Sequence, residues 1–79
     1  MSDTAPLYEQ LAELFRAKIR AGELKPGDRL PSTSQLKADG WKQGVIVWAM
    51  RTLRVEGWTR GQPGQAVYVA ENPPIERQP

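Results

Sequence analysis

Apolar residues recur at intervals of three and four in two long stretches of the chain, which is the period of a helix with one face against a core. In the first, Leu7, Leu11, Leu14, Phe15 and Ile19 form the series, with Thr4 as a cap, Pro6 in the first turn and Gly22 at the end. The second runs from Gly40 to Gly57. At about 100° per residue, Ile46, Ala49, Met50 and Leu53 share one arc of it, while Gln43, Gly44, Val47, Arg51 and Arg54 share another. This predicts a helix with a buried side and a presented side. A further stripe of Trp41, Val45, Trp48, Thr52 and Val55 makes the same helix apolar over more than half its circumference. Lys42 stands where a Ser, Thr or Asp cap would be expected, so the first turn has no side chain to close it.

Between these helices, Pro26-Gly27 fits the central positions of a type II turn, and Leu30 is held extended by Pro31. Ser32-Thr33-Ser34-Gln35 is a capping box: the Ser32 hydroxyl accepts from a backbone N–H three residues on, and Gln35 reaches back. A short helix anchored by Leu36 follows, and Gly40 ends it, so the order is helix, tight turn, helix. Beyond Gly57 the alternation changes to that of strands, Trp58–Arg60 and Ala66–Val69 around a turn at Gly61–Gly64. A two-stranded ribbon directly after a presented helix is a wing. The segment from Asn72 has no periodicity and is rich in proline and charge, as disordered tails are. The predicted organisation is thus an N-terminal tail over 1–5, one domain over 6–70 and a disordered tail over 71–79.

Composition narrows the chemistry. At 79 residues the chain holds one small core and no second catalytic or ligand domain. Eleven Lys and Arg against nine Asp and Glu give a net charge of +2, which favours nucleic acid only weakly. Cysteine and histidine are absent, which removes disulfides, thiol chemistry and the usual zinc ligands. No basic-then-apolar leader and no apolar run near the roughly 18 residues of a membrane span is present, so a cytoplasmic location is expected. Ser32 has no histidine to activate it, the carboxylates lie on surfaces and turns, and no glycine-rich phosphate loop precedes a Lys-Ser/Thr pair. No enzyme is expected, and no cofactor or metal. Glu9, Gln10, Glu13, Arg16 and Arg20 read as the solvated face of the first helix.

The strings PLYEQLAELFRAKIRAGELKPGDRLPS and PGQAVYVA, with the spacing of Ala49, Leu53 and Gly57 between them, resemble the winged helix-turn-helix domain of GntR-type bacterial transcription regulators. The resemblance covers roughly residues 6 to 70, and its most specific part is the run from Gly22 to Ser32. It implies an α+β, mainly α, fold: three helices and a wing of two to three strands. It also implies a partner, double-stranded DNA, read by the third helix in the major groove.

Measured against that family, several DNA-facing positions depart. An arginine two residues after the capping serine is replaced by Ser34. The opening Ser-Arg-x-Thr-Val-Arg of the third helix becomes Lys42-Gln43-Gly44-Val45-Ile46-Val47, so Gln43 and Val47 hold the arginine positions. At the wing tip Gly-Arg-Gly becomes Gly64-Gln65-Ala66, and the turn between the helices is one residue shorter. Gln43 could pair with adenine and Val47 pack on a thymine methyl, which would move the site from G·C to A·T. Alternatively base reading is lost, each absent arginine removing about 1–3 kcal/mol of discrimination.

The resulting expectation is a small sequence-specific regulator, a repressor from a bacterium or mobile element. Its DNA-binding residues are Ser32, Ser34, Lys42, Gln43, Gly44, Val45, Val47, Arg51, Arg54, Arg60, Gly64 and Gln65, with Lys37 as a further phosphate contact. The family normally continues into a domain that binds a metabolite and dimerises; this chain stops, which fits either a minimal regulator or an excised fragment, and the expectation is a homodimer on two half-sites with no small-molecule effector. The stripe of Trp41, Val45, Trp48 and Val55 admits two readings, core packing or an exposed patch for a partner. The rival class is a winged-helix protein-interaction module that no longer reads DNA.

Overall fold

The computed structural model describes residues 6–61 and 66–75. In chain order these form α1 (Leu7–Arg20), α2 (Thr33–Ala38), α3 (Gln43–Glu56), β1 (Thr59–Arg60) and β2 (Tyr68–Val69). Three helices and a small antiparallel wing make up the architecture.

Helix α1 begins directly after Pro6, whose carbonyl accepts from the N–H groups of Glu9 and Gln10 at 3.0 and 3.1 Å. Pro6 is therefore the cap residue, one position earlier than the first turn in which the sequence placed it; Thr4 lies outside the described residues. Glu9 in the first turn and Lys18 and Arg20 in the last match the sign of the helix dipole. Leu11, Ala12, Phe15 and Ile19 face inward, whereas Leu7 and Leu14 are 54% and 48% exposed although they share the same period. The other half of the core comes from Ile46, Ala49, Met50 and Leu53 of α3, all 3% exposed or less, and α1 against α3 is the most extensive helix contact. Leu30, Leu36, Trp58, Val67 and Val69 close the cluster.

One residue of the α1 surface departs from the expected solvated face. Arg16 is 7% exposed, because its guanidinium is folded into the seam between α1 and α3. There Nη1 donates to Glu9 Oε2 at 2.7 Å and Glu13 Oε1 at 3.0 Å, and Nε donates to Glu56 Oε1 at 3.0 Å. The long stem supplies apolar cover, and the planar head finds three carboxylates at the edge of the packing. The hydrogen bond to Glu9, with those to Glu13 and Glu56, raises the guanidinium further above its already high range. Arg20, donating to Glu13 at 3.0 Å, is the main cause that lowers the Glu13 carboxyl below its usual value.

The link from α1 to α2 follows local chemistry. Gly27, at φ 87°, closes a turn in which Asp28 N–H donates to Lys25 O at 2.8 Å, the geometry Pro26-Gly27 predicts. The chain then runs beside the wing: Gly27 N–H donates to Val69 O, Val69 N–H to Asp28 O and Leu30 N–H to Val67 O, with Arg29 and Tyr68 forming a single antiparallel bridge. The wing thus has two strands, paired Thr59 with Val69 and Arg60 with Tyr68, and a third segment held by one bridge. At α2 the capping box is complete, Ser32 Oγ accepting from Gln35 N at 3.1 Å and Gln35 Oε1 from Ser32 N at 2.9 Å.

Helix α3 starts at Gln43, directly after Lys42, the position at which the sequence calls for a cap. Gly40 has φ 106° and Lys42 is extended at ψ 151°, so neither continues a helix, and no side chain caps the first turn. Its end is better defined. Gly57 adopts φ 92°, its N–H donates to Arg54 O at 3.0 Å and that of Trp58 to Leu53 O at 2.9 Å, the paired bonds of a glycine-terminated helix. This turn drops Trp58, 6% exposed, into the core and aims the chain into β1. Glu71, Asn72, Pro73 and Ile75 lie beside the end of α1, lining an open groove with Ile19, Arg20 and Leu24. The outer tail residues 1–5 and 76–79 lie outside the described residues.

Candidate nucleic-acid interface

Because Ile46, Ala49, Met50 and Leu53 are consumed by the core, the opposite arc of α3 is turned outward by helical geometry. Gln43, Gly44, Arg51 and Arg54 are exposed, and Val47 between them is half-buried. Gly44 has open space where a side chain would stand, with no atom within 4 Å of an ideal Cβ position. Val45 is also half-buried but packs against the core, which takes it off this arc.

The surrounding groups come from three elements. Ser32 is half-buried; its oxygen is engaged in the cap, yet the hydroxyl hydrogen remains able to donate. Ser34 on α2 and Lys42 before α3 are exposed. Lys37, in the last turn of α2, donates through Nζ to Gln43 Oε1 at 3.2 Å and so links the two helices of the motif across their turn. Arg60 on β1 is exposed, its guanidinium 5.2 Å from the centre of the Tyr68 ring. The predicted wing-tip residues Gly64 and Gln65, with the turn that carries them, lie outside the described residues.

The apolar stripe divides. Trp41 and Val45 are half-buried and pack on the core cluster. Trp48, 53% exposed, stands between the two helices' outer edges, its ring 6.2 Å from that of Tyr8 and 5.1 Å from the Arg51 guanidinium. Val55 is 77% exposed. Packing therefore accounts for the first two residues and not for Val55.

Charge is distributed unevenly. Every ion pair among the described residues belongs to Arg16, Lys18 or Arg20, with Glu9, Glu13, Glu23 and Glu56 as partners. Lys37, Lys42, Arg51, Arg54 and Arg60 take part in none of them. A cationic group left without a carboxylate is free to meet an anion from outside, and a planar guanidinium held on a ring is arranged to do so in two hydrogen bonds. Arg29 adds a cation that sequence reasoning passed over. It is exposed and shares an open depression with Lys18, Ser32 and Gln35. Its place immediately before Leu30-Pro31-Ser32 is the available signal, and the sequence uses it only within the run from Gly22 to Ser32 that carries the resemblance. Among the described residues no cluster of His, Cys, Asp or Glu could hold a metal, and no helix is long and apolar enough to cross a membrane.

Comparison with known proteins points the same way as the geometry. The sequence model described as bacterial regulatory proteins, gntR family, matches residues 7–69. The chain is 39% identical over 67 residues to the mannosyl-D-glycerate transport/metabolism system repressor MngR of Escherichia coli, covering 84% of this chain and 28% of that protein. It is 36% identical over 70 residues to the probable rhizopine catabolism regulatory protein MocR of Rhizobium meliloti, covering 87% of this chain and 14% of that one. Among solved structures it is similar to YtrA from Sulfolobus acidocaldarius, a GntR-family transcription factor, with a TM-score of 0.77 and 33% identity over 90% of this chain and 77% of that chain. The chain spans less than a third of the length of these two curated relatives.

Proposed function

This chain belongs to the gntR family of bacterial regulatory proteins, and on that footing we propose that it is a sequence-specific DNA-binding regulator acting as a repressor. The arc of α3 enters the major groove, with Gln43, Gly44, Val47 and Arg51 approaching base edges. Ser32, Ser34, Lys37, Lys42, Arg54 and Arg60 meet phosphates, and the wing tip with Gly64 and Gln65 follows the backbone or the adjacent minor groove. Occupying the duplex blocks polymerase access. Two copies on a palindrome would combine two modest half-sites, so the acting form is a homodimer on DNA, and its place of work is the cytoplasm.

The observation that carries this reading is the segregation of charge: among the described residues, carboxylates neutralise the cations of α1, while those around α3 and β1 are left uncompensated. The test is a salt titration of binding to duplex DNA. Log affinity should fall linearly with log salt by about 0.9 per phosphate neutralised, giving a slope of several units. Arg51→Ala should weaken binding, and Gln43→Ala should relax preference at one or two base positions. The exposure of Trp48 and Val55 favours a second reading, a module that docks on protein through this edge. It predicts a shallow or absent slope with DNA, and both variants binding duplex like the parent would leave it standing in place of the first.

A further inference from the structure

Gln43 is the one side chain on the outward arc of α3 that carries a hydrogen-bond acceptor. The others, Gly44, Val47, Arg51 and Arg54, offer either no polar group or donors alone. One lone pair of that acceptor is already engaged, since Lys37 Nζ lies 3.2 Å from Gln43 Oε1. An ammonium has donors and no lone pair, so the oxygen of the carboxamide faces it and the NH2 group faces away. Chemistry, not the placement of two similar atoms, decides the orientation.

We infer that Lys37 locks Gln43 as a donor, so that the base opposite it is guanine rather than adenine. The inference rests on the DNA-docking reading above. A glutamine reads adenine by accepting from the N6 amino group and donating to N7, which requires its oxygen to face the base. That oxygen keeps a second lone pair, but an adenine amino group using it would be set beside the Lys37 ammonium, donor against donor, whereas the NH2 group stays free to donate to the groove. Guanine shows two acceptors there, N7 and O6; adenine shows one acceptor and one donor, and its amino group would meet donors head-on. Lys42, exposed one residue earlier, adds a further donor and no competing side-chain acceptor. The replacement of a family arginine by glutamine then keeps the donor character of that position, with Lys37 supplying what the glutamine alone lacks.

The experiment is selection of bound duplexes from a random pool, run on the parent chain, Gln43→Ala, Lys37→Met and Lys37→Arg. Gln43→Ala identifies the base position that depends on this side chain. At that position the parent should enrich guanine. Lys37→Met keeps the apolar stem but removes the ammonium, and should raise adenine relative to guanine by about fivefold, the low end of one bidentate pair. Lys37→Arg, which still donates, should keep guanine. Enriched sites with adenine at the Gln43-dependent position in the parent, or an unchanged base choice in Lys37→Met, overturn this inference alone. A pool from which the parent enriches nothing overturns the docking reading and this inference with it.

Discussion

Arg16, in the seam between α1 and α3, and Arg51, on the outward arc of α3, hold the same guanidinium in contrasting ways. Arg16 is 7% exposed and spends its donors on Glu9, Glu13 and Glu56. Arg51 is exposed, rests 5.1 Å from the centre of the Trp48 ring and takes part in no ion pair among the described residues. One region closes its electrostatics within the fold, and the other leaves it open to a polyanion. A cation therefore reveals its role through what neutralises it, and position on a helix face is only half of that information.

The largest test of this contrast removes each head group in turn. Arg16→Met keeps an apolar stem but leaves three carboxylates facing one another at the seam. The side chains of Glu9, Glu13 and Glu56 are 38%, 51% and 43% exposed, so water offsets part of the loss. We expect destabilisation of about 2 kcal/mol, below the usual range for breaking a fully buried pair. Arg51→Met should stay within about 0.5 kcal/mol of the parent in stability, as surface changes do, while weakening duplex binding. Urea unfolding of both variants decides it: equal shifts in midpoint would erase the distinction between the two regions.

A smaller effect is expected from acid. Glu13 is held below its ordinary value of 4.5, first by the hydrogen bond from Arg20 and then by that from Arg16. A carboxyl whose folded value is depressed contributes stability above its unfolded value and loses it as pH falls through the folded one. Arg16 stays protonated throughout the acid range, so its own ionisation does not shape this limb; the carboxylates that hold it do. Thermal unfolding of parent and Glu13→Gln, compared from about pH 7 to about pH 3, should show a gap that closes on acidification. A gap of constant size would mean that the charge of Glu13 does not feed into the seam.

What could be read from the chain and what could not divide along the same line. The turn at Pro26-Gly27, the box from Ser32 to Gln35 and the stop at Gly57 are made by groups within a few residues of one another, and local residue types specify them. The arc of α3 was legible for a related reason: once Ile46, Ala49, Met50 and Leu53 define the inside, geometry supplies the outside. Arg16 was not, because Glu56, which helps hold it, lies 40 residues away and only the α1–α3 packing brings them together. Leu7 and Leu14 keep the helical period yet lie outside the core, since periodicity gives a direction and not the width of the neighbour that covers it. The start of α3 at Gln43 follows from Lys42 at the cap position, whereas the contact of Lys37 with Gln43 across the turn becomes visible only in three dimensions.

The least conspicuous position on the outward arc offers the finest test, because stability and binding should there move in opposite directions. Gly44 is the second residue of α3, its φ is not positive, and an added Cβ would meet no atom within 4 Å. Nothing in the fold requires glycine, and a helical glycine costs up to about 1 kcal/mol relative to alanine, less near an end. Gly44→Ala should therefore stabilise the domain by about 0.5 kcal/mol. If this arc lies against a groove, the same methyl stands between backbone and base edge and should lower duplex affinity several-fold, a loss that folding energetics would not produce. An increase in stability with undiminished affinity would place the closest approach elsewhere, toward Arg51 and the wing, and would narrow the open region of the comparison to that half of the arc.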